Sequence, residues 1–496
     1  MNSLSPRAYK LVLGILIVAL LGVSSFSQHR LNGLRRDLGL TRLEPLQNAP
    51  PLLAVSSVVL GGFRGLISNI LWVRLMELQE QDKFFEMAQL ANWITKLQPH
   101  IATVWTVQAW NMSYNISVKF SEPADRWLWV QRGIQLLRDE GLKYNPNNVD
   151  IYRELAWHFQ HKMGHNLDDA HLFYKSVWAT QMQNILGGGR PDFEELLNPQ
   201  TEDAKQRVKI LREFYKLDPA IMRTVDELYG PLEWRLPESH AIYWAYLGKI
   251  NAKTKDQLIK LRRVLYQSMF LAFHRGKLTR NNANNTVEFG PNLEIAEKTD
   301  ATFREAMAED EEMREHIGRA HKNFLLDCVY YFFTHNRISQ AQHWLDIVKR
   351  DYPRDYPADM TLEQYAIRIR LQDDVDETDQ NRVTAHIRGL LTQSYVNLAR
   401  DDEDQAAGYA ALARAIWNSY MSKIVGGASE KRVPLFPLES IKRDVVRELL
   451  NPETGLIDEM AAVLRTKIPE LAAEIDAEYA GEAAATNAPP AAPPPP

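Results

Sequence analysis

Four short segments that end alike constrain this chain more than any other feature. "ITKLQP" closes at Pro99, "GLKYNP" at Pro146, "FYKLDP" at Pro219 and "VKRDYP" at Pro353. In each, a helical run delivers an apolar or aromatic residue just before a proline. Proline has no amide hydrogen and its ring clashes with the preceding turn, so it stops the helix and opens a turn. Beyond residue 60 the chain carries long amphipathic runs, few alternating β-branched stretches, and interruptions at short Pro, Gly or Asn clusters. That pattern predicts paired helices joined by turns, an all-α fold.

The chain has 496 residues, 45% of them hydrophobic, enough to bury a large core. Its 58 Lys and Arg nearly balance 63 Asp and Glu. No global field therefore attracts a polyanion, and nucleic acid is not an expected partner. The single cysteine, Cys328, lies in the apolar run "FLLDCVYYFF", which rules out an intramolecular disulfide framework. The amino terminus, "RAYKLVLGILIVALLGVSSFSQHR", carries no charge from Leu11 to Phe26. Such a run rises about 24 Å as a helix, at the short edge of what spans a bilayer. Two readings stand: a signal anchor that stays, or a signal peptide cut after a small residue such as Ser27. The anchor is the reading adopted, and the signal-like start with the low cysteine content places the rest of the chain outside the cytoplasm. A second apolar stretch, Leu52 to Val73, is long enough to span but contains Arg64 and a Gly-Gly break. An Arg at the bilayer centre costs about 2.5 to 3.5 kcal/mol, so this stretch is expected to lie against the membrane or against the first helical pair.

The proline endings resemble the close of a tetratricopeptide repeat (TPR), a helix-turn-helix unit, and upstream residues fit the same unit. After Pro146, Tyr152 and Phe159 take its aromatic positions, with Leu155 and Ala156 as the adjoining large and small pair; Ala170 and Tyr174 fit the second helix. After Pro99, Trp105 and Ala109 fit likewise. "WAYLG" at Trp244 to Gly248 has the Trp, Leu and Gly spacing, and Ala341, Leu345, Val348 and Pro353 fit a second helix. The resemblance covers residues 65 to 180, and more loosely 205 to 275 and 321 to 425; the whole is similar to bacterial membrane-anchored TPR proteins. It implies a TPR-like solenoid in which small residues let helices approach and large ones fill the grooves between pairs.

The resemblance also implies a concave groove lined by Arg153, Trp157 and His161, with Trp110 and Tyr114 at the positions equivalent to Trp157 and His161. Large rigid aromatics and arginine are the residues most often found at binding hot spots. The interval between these two repeats is 47 residues where 34 is usual, which is expected to offset them and interrupt the groove. Lys and Asn would stand at these positions in a repeat that clamps a terminal carboxylate, so no such clamp is expected. A rival reading starts from "ELAWHFQHKMGHNLDDAHLFYK", which holds four of the thirteen histidines. His158, His161 and His165 share one helix face with Glu154, a donor set that could hold zinc or iron. The run lacks the HExxH spacing of a helical zinc protease, and no metal is expected. Trp127 and Trp129, two apart, fall on different faces, one buried and one meeting a loop, a partner or lipid. In "YGPLEWRLPESHAIYW", Glu233, Arg235, Glu238 and His240 read as a polar network fixing a turn, with a catalytic acid and base pair as the rival. "LGGGRP" lacks the Lys and Ser or Thr of a phosphate-binding loop and reads as a linker; no cofactor motif appears.

The expected organisation is a membrane anchor over 1–30, a juxtamembrane segment over 31–64, TPR-like helices over 65–182, a loop over 183–204, helices over 205–277, an Asn- and Gly-rich loop over 278–300, helices over 301–428, C-terminal helices over 429–479, and a disordered Pro- and Ala-rich tail over 480–496. Such a chain is expected to be a non-catalytic, membrane-tethered scaffold that binds a partner protein. Rival functions are a metal-dependent enzyme using His158, His161 and Glu154, and a structural subunit of a membrane transport or secretion assembly.

Overall fold

A computed structural model describes residues 6–37, 63–281, 286–362, 364–365, 380–425, 435–451 and 454–486. The protein is all-α, about 80% helical, in agreement with the helical periodicity. It divides into two units, Met1–Ile101 and Ala102–Pro496, a boundary that falls inside the block expected over 65–182.

The first unit contains α1 (Pro6–Asp37), α2 (Phe63–Glu80) and α3 (Phe84–Leu97). By length and composition α1 is apolar enough to cross a membrane over Gly14–Leu31. The apolar stretch read over Leu52 to Val73 lies outside the described residues up to Gly62, and its remainder opens α2. Helices α2 and α3 form a hairpin with Leu75, Leu78, Met87, Ala91 and Ile94 buried. The opposite face of α2 carries Leu66, Ile70, Val73 and Met76, each more than half exposed.

The second unit opens with α4 (Ala102–Trp110), α5 (Pro123–Gln135), α6 (Val149–Trp157) and α7 (His171–Leu186), then α8 (Glu202–Ile210), α9 (Pro219–Tyr229), α10 (Pro237–Asn251) and α11 (Lys255–Arg275). Four of these pass directly into a wide π turn: Asn111–Ile116 after α4, Leu136–Gly141 after α5, His158–Gly164 after α6 and Leu211–Tyr215 after α8. Caps follow the local chemistry: Asn148, Asp218 and Thr254 each turn a side-chain oxygen onto the first free amides of α6, α9 and α11. Pro219 and Pro237 stand at the first positions of α9 and α10, where their missing N–H costs nothing. Small residues set the closest approaches. A Cβ on Gly133 of α5 would lie 2.3 Å from Ser113 Oγ and 2.9 Å from Ala109 O, and one on Gly248 of α10 would lie 2.6 Å from Leu261 of α11. The "WAYLG" stretch thus packs as expected of a paired helix, with Trp244 stacked on Tyr152 of α6 at 6.2 Å.

Residues 278–300, read as a loop, are ordered differently. "KLTRN" and "TVEFG" pair as an antiparallel hairpin, β1 (Lys277–Asn281) and β2 (Thr286–Gly290), followed by α12 (Ala296–Glu309). Alternating Leu, Thr, Val and Phe suit a pleated strand; residues 282–285 between the strands lie outside the described residues. Then come α13 (Arg314–Thr334), α14 (Ile338–Asp351), α15 (Gln380–Ala399), α16 (Glu403–Val425), α17 (Leu438–Leu449), α18 (Asp458–Lys467) and α19 (Pro469–Thr486). Within the loop expected over 183–204, α7 continues to Leu186 and a one-turn helix forms at Phe193–Leu197. The tail expected from residue 480 begins as helix, because "AGEAAAT" is rich in strong helix formers; residues 487–496 lie outside the described residues. One buried cluster runs from Trp105 to Val445, and a smaller one joins α15, α17, α18 and α19 through Ala399, Val446, Leu464 and Ile475.

Candidate functional site

The residues expected to line a groove come together where α4 and α6 pass into their π turns. In both helices the last α-helical residue is a tryptophan, Trp110 or Trp157, and the wider turn begins one residue later. A π turn inserts an extra residue and recurs at functional sites. Trp110 stacks on Tyr114 at 5.7 Å and 19° between planes; Trp157 stacks on His161 at 4.4 Å and 12°. The two pairs meet through Tyr114 and His161, whose centroids are 5.8 Å apart, with the hydroxyl 3.2 Å from His161 Nδ1. The four rings form a ladder in the order Trp110, Tyr114, His161, Trp157. The 47-residue interval, expected to interrupt the groove, instead sets equivalent positions side by side. Both helices end in a π turn, and in each the tryptophan stacks on the ring four residues later.

Burial pushes the Tyr114 phenol up, aided by the Glu154 charge. Burial lowers the His161 imidazole, as do His165, Lys162 and His158. Burial thus favours the neutral form of both groups, which share one hydrogen bond through the Tyr114 hydroxyl and His161 Nδ1. Trp110 is 38% exposed, and Tyr114, His161 and Trp157 are half-buried, so the ladder is reached by solvent chiefly at Trp110. Arg153 turns instead to Glu154 Oε2 at 3.2 Å. Among the described residues no ring of the ladder lies over its guanidinium.

Beneath the ladder His158 is fully buried. Its Nδ1–H donates to Glu154 O at 2.8 Å and its Nε2 lies 3.4 Å from Ala109 O of α4. Both ring nitrogens thus face backbone carbonyls, and the Glu154 carboxylate is 3.7 Å from Nδ1. Among the described residues no group of three or more His, Cys, Asp or Glu side chains is placed to hold a metal ion, the set His158, His161 and Glu154 included.

A pocket of about 360 Å³ adjoins the ladder, lined by Tyr114, Val118, Arg126, His161, Lys162, Leu167, Asp168 and Asp169. Asp168 is its hub. It accepts from Lys162 Nζ at 2.5 Å, Arg126 Nη1 at 3.1 Å, the Tyr174 hydroxyl at 3.3 Å and the Ala170 amide at 2.9 Å. Arg126 also bonds Asp169 and donates to Phe120 O. Burial pushes the Asp168 carboxyl up, but the Lys162 hydrogen bond, the Ala170 amide and the charges of Lys162 and Arg126 hold it below the usual carboxylate range. Burial pulls the Lys162 ammonium down, and its bond to Asp168 offsets only part of that. The ammonium also sits 5.1 Å from the Tyr114 ring centroid, a cation-π contact that ties pocket to ladder. Sequence reasoning did not find Arg126, Lys162 or Asp168, because Arg126 and Asp168 are 42 residues apart and no local motif pairs them.

Trp127 is buried, edge-on to Trp178, while Trp129 stacks on Phe120 of the preceding loop and carries Arg132 over its ring. The Tyr229 to Trp244 stretch forms the polar turn. Arg235 grips Glu233 with two bonds of 2.7 Å and donates to Gln183 at 2.7 Å. Asp226 accepts from Trp234 Nε1 and the Leu232 amide, both at 2.9 Å. His240 donates from Nε2 to Trp234 O at 2.9 Å. Glu238 lies buried, its Oε1 3.6 Å from Arg275 Nε; burial raises its carboxyl, with Lys175 and Arg275 opposing. Glu238 and His240 thus face different partners. The "LGGGRP" loop packs against this turn through a 2.8 Å bond from the Trp234 amide to Gly189 O. Comparisons with models of known protein families, with curated proteins and with solved structures give no match to this chain.

Proposed function

We propose that this protein is a membrane-tethered, TPR-like scaffold or adaptor that holds a segment of a partner protein on the aromatic ladder. The observation that supports the reading is the ladder itself: the ends of two helices set Trp110, Tyr114, His161 and Trp157 in one stack, with Trp110 exposed. Flat rings fixed by stacking lose little freedom on binding, and the His161 imidazole among them offers one polar edge. The neighbouring pocket would take one apolar side chain of the partner against Val118 and Leu167. Arg153 contributes at the margin. The α1 helix would confine the encounter to the membrane, so local concentration supplements modest affinity.

The test is site-specific crosslinking in native membranes. A photoreactive phenylalanine analogue at Trp157 is expected to capture one partner segment, and Trp110→Ala in the same chain is expected to abolish that adduct without changing the unfolding midpoint. Adducts that are diffuse, or unaffected by Trp110→Ala, would assign the ladder to packing alone.

A second reading, a fixed subunit of a membrane assembly, draws on the exposed apolar face of α2, formed by Leu66, Ile70, Val73 and Met76. Copurification in constant stoichiometry with integral membrane proteins after gentle solubilisation separates it from a transient adaptor.

A further inference from the structure

A second cavity, of about 420 Å³, opens among the Gly189 loop, the polar turn after α9, the foot of the β-hairpin and the turn that joins α13 to α14. Its size falls within the range of roughly 300 to 1,000 Å³ usual for small-molecule sites. Its walls are held in place. Asn292 donates from its amide to Phe273 O at 2.8 Å and from Nδ2 to Pro231 O at 2.7 Å. Gly189 leaves no space for a side chain, since a Cβ there would lie 2.0 Å from the Glu233 carboxylate.

The charges on this wall do not cancel. Arg190, Arg235, Lys277 and Arg337 face two carboxylates, Glu233 and Glu294. Glu233 is taken up by Arg235 through two bonds, and Glu294 pairs with Arg190 at 2.9 Å. Lys277 and Arg337 have no ion pair among the described residues. His335 beside them adds no charge. Its Nδ1–H donates to Tyr331 O at 2.7 Å, and its Nε2 accepts from Gln405 Nε2 at 2.9 Å, an arrangement that needs the neutral ring. Burial, with Arg337 and Lys277 assisting, lowers this imidazole against the pull of Asp402 and the Tyr331 carbonyl. Leu232, Leu278 and Leu293 supply an apolar wall.

We propose that this cavity binds a small organic anion, a phosphate or carboxylate head held by Lys277 and Arg337 with an apolar body against the leucines. An arginine fork takes two oxygens of such a head at once, and lysine adds a point charge, while the field of two cations without an ion pair among the described residues draws the anion in. The site is independent of the aromatic ladder.

The test is calorimetric titration of the full chain in nanodiscs with phenyl phosphate and, separately, with benzoate; benzyl alcohol serves as the neutral control. At least one anion is expected to saturate at one site per chain and to weaken with added salt, and comparison of the two identifies the head group. In Lys277→Gln/Arg337→Gln, affinity should fall by about tenfold or more, as expected when hydrogen bonds to a charged group are lost. Trp157→Ala should bind as wild type does. Lys277→Gln alone should fall between the two and keeps the test readable if the double variant is unstable. The proposal is overturned if neither anion saturates, if benzyl alcohol binds equally well, or if the charge variants bind as wild type.

Discussion

Acid should weaken this fold through one histidine in particular. His240 is 1% exposed and packs against Trp178 at 4.9 Å, Phe159 at 5.3 Å and Trp234 at 6.1 Å. Its Nε2–H is satisfied by Trp234 O, and its Nδ1 has no hydrogen-bond partner. Protonation would bury a second N–H with nothing to accept it, and burial accordingly pushes the imidazole down to about 4, with the Trp234 carbonyl opposing. The unfolded chain takes up that proton near pH 6.5 and the folded chain only near pH 4, so the unfolded state binds more protons between the two. Stability is therefore full above pH 6.5 and falls as pH drops towards 4, by roughly 3 kcal/mol for this group alone. His240→Gln places an amide nitrogen where Nε2–H stands but cannot titrate. Urea unfolding of both proteins from pH 7.5 to 4 should show wild type losing roughly 3 kcal/mol more than the variant. Parallel profiles, or a His240 ring that titrates near 6.5 by NMR in the folded protein, would refute the argument.

Asp168→Asn should destabilise the protein by about 3 to 5 kcal/mol, because it leaves the Lys162 ammonium, 3% exposed, without its anion; the urea midpoint reads this directly. Since the Asp168 carboxyl is held below its unfolded value, its contribution is present above the unfolded pKa and is lost as pH falls through the folded one. Gly189→Ala should cost about 1 to 3 kcal/mol in thermal unfolding, because the new methyl group meets a Glu233 carboxylate that Arg235 prevents from moving aside. Cys328 is fully buried in α13, and burial raises its thiol well above the usual range, so an aromatic disulfide reagent should react with it only at the rate of unfolding. A fast reaction in native buffer would show that α13 opens locally.

Much of the fold was legible because its signals are local. Proline stops, cap residues and helical periodicity each act within a turn or two, and they marked the ends near Pro99, Pro146, Pro219 and Pro353 where α3, the turn after α5, the turn after α8 and α14 close. Trp127 and Trp129 could be assigned to opposite faces from their spacing alone. The β-hairpin was hidden because two five-residue strands flanking an Asn-rich sequence read much like a loop of the same length. The helical start of the tail was hidden because the prolines that follow dominated its composition. In the candidate site, the aromatic residues were legible from their register within a repeat. The charged partners that form the pocket beside them were not.

What the sequence by itself determined is therefore an all-helical chain, the places where its helices begin and end, and the set of aromatic residues that could share a surface. Only the tertiary structure decided that a 47-residue interval brings Tyr114 onto His161, that Arg126 and Lys162 converge on Asp168, and that Lys277 and Arg337 share a cavity with no ion pair of their own among the described residues. The physical reason is range. Helix propensity and capping are settled by neighbours along the chain, whereas ring stacking, ion pairing and cavity shape depend on which helices meet, and that is set by the packing of small residues such as Gly133 and Gly248 against side chains far away in sequence.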